Sequence, residues 1–312
     1  MKDVVLRSPT DDDAGKLKAL WSAVFSSVGM DSFFNILYDK ELCSTVFRGN
    51  ELCAMAYLVP TGELTCAGET LRAAMIYAVA TVPEHRGKGY GKAVVDELSH
   101  QAHSLGFPVV VLAPSDDSLF SYYLNNNLFS EWFYIDELIY PREVISALLR
   151  AKAACNEFSD AGLRLEEISA FQYSKLRTSL LSGHTYIKQS DSIIEYQNRL
   201  CNEVGGGFYR FGDSCAIVEI SDDSSVCVKE FLPQSDSAPT IYRQHYVYDM
   251  ITAIAEKYPA DTYIVRTPAS RETGSEITNR LTRRFGMIKA DKRSSPGIVH
   301  GELLPWYGLA LD

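Results

Sequence analysis

The chain has 312 residues, 46% of them hydrophobic and 22% charged, with a net charge of −10. This is an ordinary globular composition, long enough for two domains of ~100–200 residues each. No apolar run approaches the ~20 residues of a membrane helix. The acidic balance repels nucleic acid and anionic membranes and attracts cations.

The N-terminus, Met1-Lys2-Asp3 and then Asp11-Asp12-Asp13, has no apolar signal-peptide core, so the expected location is the cytoplasm. The seven cysteines are scattered, odd in number and without a Cys-x-x-Cys, and the six histidines lack metal-ligand spacing. Neither a disulfide framework nor a metal site is expected.

In chain order, Val4 to Arg7 reads as a strand, and Ser8-Pro9-Thr10 opens a helix through Leu17, Leu20, Trp21, Val24 and Phe25. A short helix carries Phe33, Phe34, Ile36, Leu37 and Tyr38. Strands follow at Thr45 to Arg48, Cys53 to Val59 and Ala73 to Val82, with turns at Gly49-Asn50 and Thr61-Gly62. A glycine-rich loop, Arg86 to Gly91, opens a helix through Val94, Val95, Leu98, Ala102 and Leu105, which Gly106 ends. A buried strand at Val109 to Ala113, a short helix near Ser118 to Asn126 and a strand at Glu131 to Tyr140 complete the first domain, 1–141. Residues 142–162 read as a helical connector with Ile145, Leu148 and Leu149 as its apolar stripe, and 163–312 as a second domain.

The second half echoes the first. Phe47-Arg48-Gly49-Asn50-Glu51-Leu52-Cys53-Ala54-Met55 pairs with Tyr209-Arg210-Phe211-Gly212-Asp213-Ser214-Cys215-Ala216-Ile217, and Val111-Leu112-Ala113-Pro114 with Val265-Arg266-Thr267-Pro268. Two ordered matches at strand-like positions favour a duplicated fold over chance.

Chemistry concentrates between Val79 and Lys92, where a strand runs through a glycine-rich turn into a helix. Glycines permit positive φ and close approach of a ligand. Successive N–H groups at a helix N-terminus then form a cradle for a pyrophosphate, to which Arg86 and Lys88 or Lys92 add charge. Gly91-Lys92 is followed by Ala93, which excludes the P-loop, and Gly87-x-Gly89-x-Gly91 has the wrong spacing for a dinucleotide fingerprint.

This segment resembles the pyrophosphate motif of the GNAT superfamily of N-acetyltransferases, Arg/Gln-x-x-Gly-x-Gly/Ala, at Arg86, Gly89 and Gly91, preceded by that family's Val-x-Pro-x-x-Arg-Gly at Val82, Pro83, Arg86 and Gly87. The resemblance covers the first ~140 residues. It implies an α/β (α+β) fold with a mixed, mostly antiparallel sheet flanked by helices in each of two domains, the second degenerate. It implies acetyl-CoA as co-substrate, held by Val79, Ala80, Thr81, Arg86, Gly87, Lys88, Gly89, Tyr90, Gly91, Lys92 and Ser118. The family's Tyr-x-x-x-Gly-Phe element is similar to Tyr123-Leu124-Asn125-Asn126-Asn127-Leu128, with Asn127 as the left-handed helix end and Leu128 as the apolar plug. Tyr123 then inherits protonation of the departing thiolate, with Tyr122 as its neighbour rival.

The base is open, because the strand Arg72 to Val82 contains no Asp, Glu or His. The tandem arrangement resembles the enhanced-intracellular-survival (Eis) acetyltransferases, which use a terminal carboxylate and so point to Asp312, although this chain leaves no room for their usual third domain. In the second domain Leu232 to Gln244 contains no glycine, and Thr282, counted back from Gly286, stands where Tyr123 does. That domain is expected to shape the substrate pocket or the surface of a homo-oligomer. The resemblance implies acetyl transfer to a primary amine (a small cationic amine, an aminoglycoside-like molecule or a lysine), with no nucleic acid or membrane as partner. A tandem aminoacyltransferase and a non-catalytic acetyl-CoA sensor are the alternatives.

Overall fold

The computed structural model describes residues 4–25, 27–154, 164–221, 224–234, 240–269, 280–291 and 304–309. In the N-terminal half, β1 (Val4–Arg7), α1 (Ala14–Val24) and α2 (Met30–Ile36) lead into β2 (Cys43–Arg48), β3 (Glu51–Cys66) and β4 (Glu69–Thr81). Then come α3 (Tyr90–Ser104), β5 (Val109–Leu112), α4 (Asp117–Asn127) and β6 (Ser130–Pro141). The C-terminal half runs α5 (Arg142–Ala154), β7 (Leu165–Glu167), α6 (Ala170–Leu180), β8 (Tyr186–Gln189), α7 (Asp191–Glu203), β9 (Gly207–Phe211), β10 (Ser214–Ser221), β11 (Ser225–Leu232), α8 (Thr240–Lys257), β12 (Thr262–Pro268) and β13 (Arg280–Ala290). No described helix is long and apolar enough to cross a membrane.

One mixed sheet runs through both halves in the order β1-β2-β3-β4-β5-β13-β6-β12-β11-β10-β9-β7, with β8 added to β3. Its parallel pairs are β4 with β5 and β11 with β12. Parallel neighbours need a crossover, and α3 and α8 supply them. The segments that echo one another in sequence form corresponding hairpins, closing at Arg48↔Glu51 and at Phe211↔Ser214.

The middle of the sheet is interleaved. β13, from the C-terminal half, lies between β5 and β6 of the N-terminal half. β6 in turn pairs with β12 from Thr262↔Pro141 to Pro268↔Ile135. Each half therefore completes the other's ladder, and the largest core is shared: Trp21, Phe33 and Tyr57 belong to the same cluster as Tyr173, Tyr196 and Trp306. Smaller clusters fill the space under α3 and α4 and under α5 and α8.

Thr61-Gly62 is not a turn. β3 continues through it with a bulge, and the hairpin closes at Ala67-Gly68 instead. The reason is tertiary: β8 pairs with Gly62 to Thr65, and a methyl group on Gly62 would overlap the Lys188 carbonyl. The glycine is a site of close strand approach.

The segment 304–309 threads back into the core. Trp306 bridges Tyr186, and its indole N–H donates to Glu230 Oε1 at 2.6 Å. Glu230 and Arg177 form a buried ion pair at 2.8 Å, Tyr173 donates its hydroxyl to Glu230, and Arg177 donates to the Tyr307 carbonyl at 3.2 Å. Removing one member of such a pair leaves a buried unpaired charge. Glu230→Ala should therefore cost about 3–5 kcal/mol, read as a lower urea midpoint; a midpoint unchanged within error would show that the network is dispensable.

Candidate active site

β4 and β5 are paired only from Ala73↔Val109 to Met75↔Val111. β4 then continues to Thr81 while β5 stops at Leu112, so the two strands part. A bulge assists: against β3, Tyr57 faces Tyr77 but Met55 faces Ala80, and Ala78 takes up the extra residue with φ +48. Bulges bend a strand and re-aim its residues. Of the expected backbone contacts, Val79 lines the resulting cavity, Ala80 buries its methyl in the core, and Thr81 directs its hydroxyl toward Gly91.

The loop beyond β4 runs through a single 3-10 turn at Pro83–His85 and reaches α3 with Gly87 at φ +73 and Gly89 at φ +81. The backbone N–H groups from Gly87 to Lys92 have no partner among the described residues, and the helical ladder starts with Ala93 donating to the Gly89 carbonyl at 3.0 Å. A Cβ on Gly87 or Gly89 would meet no protein atom within 4 Å. The concavity is thus lined by donors at the positive end of a helix, which fits a pyrophosphate. Gly91 differs: a Cβ there would press on the Tyr122 hydroxyl at 3.2 Å and Thr81 Oγ1 at 3.3 Å, so it serves packing.

The cations of the loop divide similarly. Lys92 pairs with Asp96 along α3, and Lys88 donates to the Glu84 carbonyl at 2.8 Å. Arg86 is exposed, and among the described residues its side chain hydrogen-bonds only the Thr81 carbonyl, at 3.4 Å, through Nε. Tyr90 packs its ring into the core beneath α3, leaving its backbone to the cradle.

Under the loop lies a relay that the sequence reading missed. His85, 2% exposed, faces Lys88 Nζ with Nδ1 at 3.0 Å and Glu51 Oε1 with Nε2 at 3.0 Å; Arg48 holds the other Glu51 oxygen at 2.8 Å. Lys88 can only donate, so Nδ1 accepts and Nε2–H donates. The hydrogen bonds from His85 and Arg48 hold the Glu51 carboxyl down at about 2. Glu51, Cys53 and His85 bring metal-type ligand atoms within 4.8 Å of one another, yet both His85 nitrogens are already spent on Lys88 and Glu51. Proximity in sequence gave no hint of it, because Glu51 sits on β3 and His85 follows β4.

α4 supplies the tyrosine. Tyr123 is 7% exposed, lines the same cavity as Val79, and packs against Phe129 at 6.3 Å. Burial, with the neighbouring Tyr122 and Asp116, pushes its phenol up, so it holds its proton at neutral pH. Tyr122 lies against Gly91 instead. Ser118 is an exposed N-cap partner: its N–H and hydroxyl donate to Asp116 at 2.9 and 2.5 Å, and Ser115 lines the cavity in its place.

Three sequence expectations change here. The left-handed residue ending α4 is Leu128, φ +62, not Asn127. Asn127 stays helical because its buried side chain donates to Asp96 Oδ1 at 2.9 Å and the Lys92 carbonyl at 3.3 Å. Leu128 is 75% exposed, and the apolar plug is Phe129, fully buried. Thr282 is no counterpart of Tyr123. Gly286 sits at a bulge inside β13, so counting back reaches a strand residue whose hydroxyl donates to Asp136 at 2.6 Å. Asp312 lies outside the described residues.

The cavity measures about 540 Å³ and opens between the halves. Trp21, Phe25 and Tyr77 of the N-terminal half face Tyr196, Leu200 and Phe285 of the C-terminal half. The α1–α2 loop is fixed by α7: Glu203 accepts from Gly29 N at 2.9 Å and from the Ser32 hydroxyl at 2.5 Å.

By sequence, residues 5–125 match the family profile described as "Acetyltransferase (GNAT) domain". The match places a GNAT domain at residues 5–125, under half of the chain. No curated protein matches the chain. Among solved structures it is similar to a GCN5-related N-acetyltransferase from Kribbella flavida (TM-score 0.65, 15% identity, covering 92% of this chain and 71% of that one). It is also similar to one from Anabaena variabilis ATCC 29413 (0.64, 16%, 92% and 73%) and to Eis1 from Mycobacterium abscessus (0.58, 11%, 92% and 73%). These identities carry likeness of fold, and the coverage extends the GNAT arrangement well beyond the profile match. The matched profile is that of an acyltransferase domain.

If the open space at Gly89 is the diphosphate seat of the GNAT domain, Gly89→Val should weaken acetyl-CoA binding at least about a hundredfold by calorimetry, since the side chain both fills the concavity and resists positive φ. Circular dichroism should stay native; unaltered affinity would remove the loop from the site.

Proposed function

We propose that the chain is an acetyl-CoA-dependent N-acetyltransferase acting on primary amines. One observation carries the reading: the unpaired edge of β4 and the Tyr123 phenol line a single cavity, and that same strand leads through the glycine loop into a cradle of N–H groups without partners among the described residues. Acetyl-CoA, when bound, supplies an acetyl thioester whose carbonyl carbon bonds the amine nitrogen as the carbon–sulfur bond breaks.

The N–H groups of Gly87 to Lys92 and the Arg86 guanidinium suit the pyrophosphate. The backbone of Val79 to Thr81, unpaired on the β5 side, suits the pantetheine amides and the polarised carbonyl. Tyr123 keeps its proton until a stronger base, the leaving thiolate, takes it. A non-catalytic sensor has no use for a phenol in this position.

The described wall offers no spare base. Glu137 is held by Arg283 at 2.6 Å and Arg266 at 3.5 Å, and Glu219 by Lys229 at 3.3 Å. With no spare base on the described wall, the acceptor reacts as free amine, and its surplus proton passes to water or to the Asp312 carboxylate, which lies outside the described residues.

Three outcomes are expected. Tyr123→Phe should lower kcat by ~10²–10⁴-fold with acetyl-CoA affinity nearly unchanged; undiminished turnover, with acetyl transfer rate-limiting, would assign Tyr123 to packing. Below the acceptor's own pKa, kcat/KM should rise about tenfold per pH unit and shift when an amine of lower pKa is used. A profile independent of the amine would point to an enzyme base instead. Calorimetry should return one acetyl-CoA per chain, and two equivalent sites would contradict a single cradle.

A further inference from the structure

We infer that the acceptor is an arylalkylamine, a primary amine with an aromatic group close to its reactive nitrogen, selected by the aromatic lining that both halves contribute to the cavity. This deepens the N-acetyltransferase reading and rests on it. The first observation is the wall itself. Trp21 stands 5.4 Å from Phe25 and 5.8 Å from Tyr77, and the Tyr77 hydroxyl lies 3.4 Å from that of Tyr196. Across the opening are Leu200 and Phe285, in the same cavity as Val79 and Tyr123. Aromatic rings favour a further ring at ~4.5–7 Å, edge-on or offset. The polar side of the cavity, with Arg266, Arg283 and Arg284 together with Glu137 and Glu219, lies apart in the chain from Trp21, Phe25, Tyr77 and Tyr196.

The second observation is charge. The chain is acidic overall, which at sequence level favours a cation, but the cavity does not share that character. Both carboxylates that line it are ion-paired, Glu137 with two arginines and Glu219 with Lys229. A polyamine or aminoglycoside would bury several ammonium groups with no described wall carboxylate disengaged to receive them, and unpaired buried charge is costly. A single amine that reacts in its neutral form makes no such demand.

The third is that the wall is preformed. Glu203 ties the α1–α2 loop to α7, and a Cβ on Gly29 would meet Leu200 Cδ1 at 2.7 Å and the Tyr196 hydroxyl at 3.0 Å. The aromatic side of the N-terminal half is thus set at a fixed distance from α7. In the transfer the amine nitrogen bonds the acetyl carbon and loses one proton, the carbon–sulfur bond breaks, and its electron pair leaves with sulfur, which gains one proton. The aryl group stays unreacted against the rings.

Thiol release from acetyl-CoA, measured with phenethylamine, tryptamine, spermidine, kanamycin and a lysine peptide, tests this on the wild-type chain. The aryl amines should show kcat/KM at least about tenfold above the others, as expected for burying a phenyl group. Phenethylamine should also bind the CoA-loaded chain by calorimetry, and Leu200→Glu should weaken that binding at least about tenfold without altering CoA affinity; the wild-type panel decides alone if the variant does not fold. Spermidine, kanamycin or the peptide matching or exceeding the aryl amines would overturn the acceptor class and leave N-acetylation standing. Acetyl-CoA binding without thiol release for any amine would overturn both.

Discussion

Two exchanged strands hold this molecule together. β13 reaches into the N-terminal half and β6 into the ladder of the C-terminal half, so backbone hydrogen bonds on both flanks of each strand tie the halves into one sheet. A loose interface between two separate sheets would let them rock; interleaved ladders do not. The cavity depends on this. Its floor and far wall carry Ile135 and Glu137 from β6 and Arg283 and Phe285 from β13, beside Val79 of β4. The half without a described phosphate cradle is therefore part of the site.

Opening of the sheet follows from where pairing stops. β4 and β5 run side by side for a few residues and then diverge, with the bulge at Ala78 turning the longer strand aside. The freed edge and Tyr123 then face one cavity, and the strand runs on through the glycine loop to the N-terminus of α3. The relay from Arg48 through Glu51 and His85 to Lys88 lies directly beneath the glycine loop and ties it to β3. Glycines at 87 and 89 leave room above the loop, while the glycine at 91 lets α3 approach Thr81 and Tyr122 from below.

The C-terminal half acts mainly by position. α7 caps the start of α2 through Glu203, β8 extends the sheet along β3, and residues 304–309 are held by the Arg177–Glu230 pair inside the shared core. Each contact joins residues far apart in the chain, and each fixes one side of the cavity relative to the other.

The sequence by itself determined the parts that depend on local interactions. The Arg86 to Lys92 loop was legible because a strand, a run of glycines and a helix start are short-range features whose chemistry does not need the rest of the fold. The order of strands and helices in the N-terminal half and the paired hairpins at 49–50 and 212–213 were legible for the same reason, through periodicity and turn residues. Tertiary structure decided what depended on a distant partner. Thr61-Gly62 looked like a turn until β8 packed beside it, Asn127 looked like a helix end until Asp96 engaged its side chain, and Thr282 looked like the positional counterpart of Tyr123 until β13 proved to be an exchanged strand. The acceptor cavity belongs wholly to this second class. Net charge is a sum over the surface and periodicity a property of one element, so neither carries the information that Trp21, Tyr196 and Phe285, from three distant segments, line one cavity.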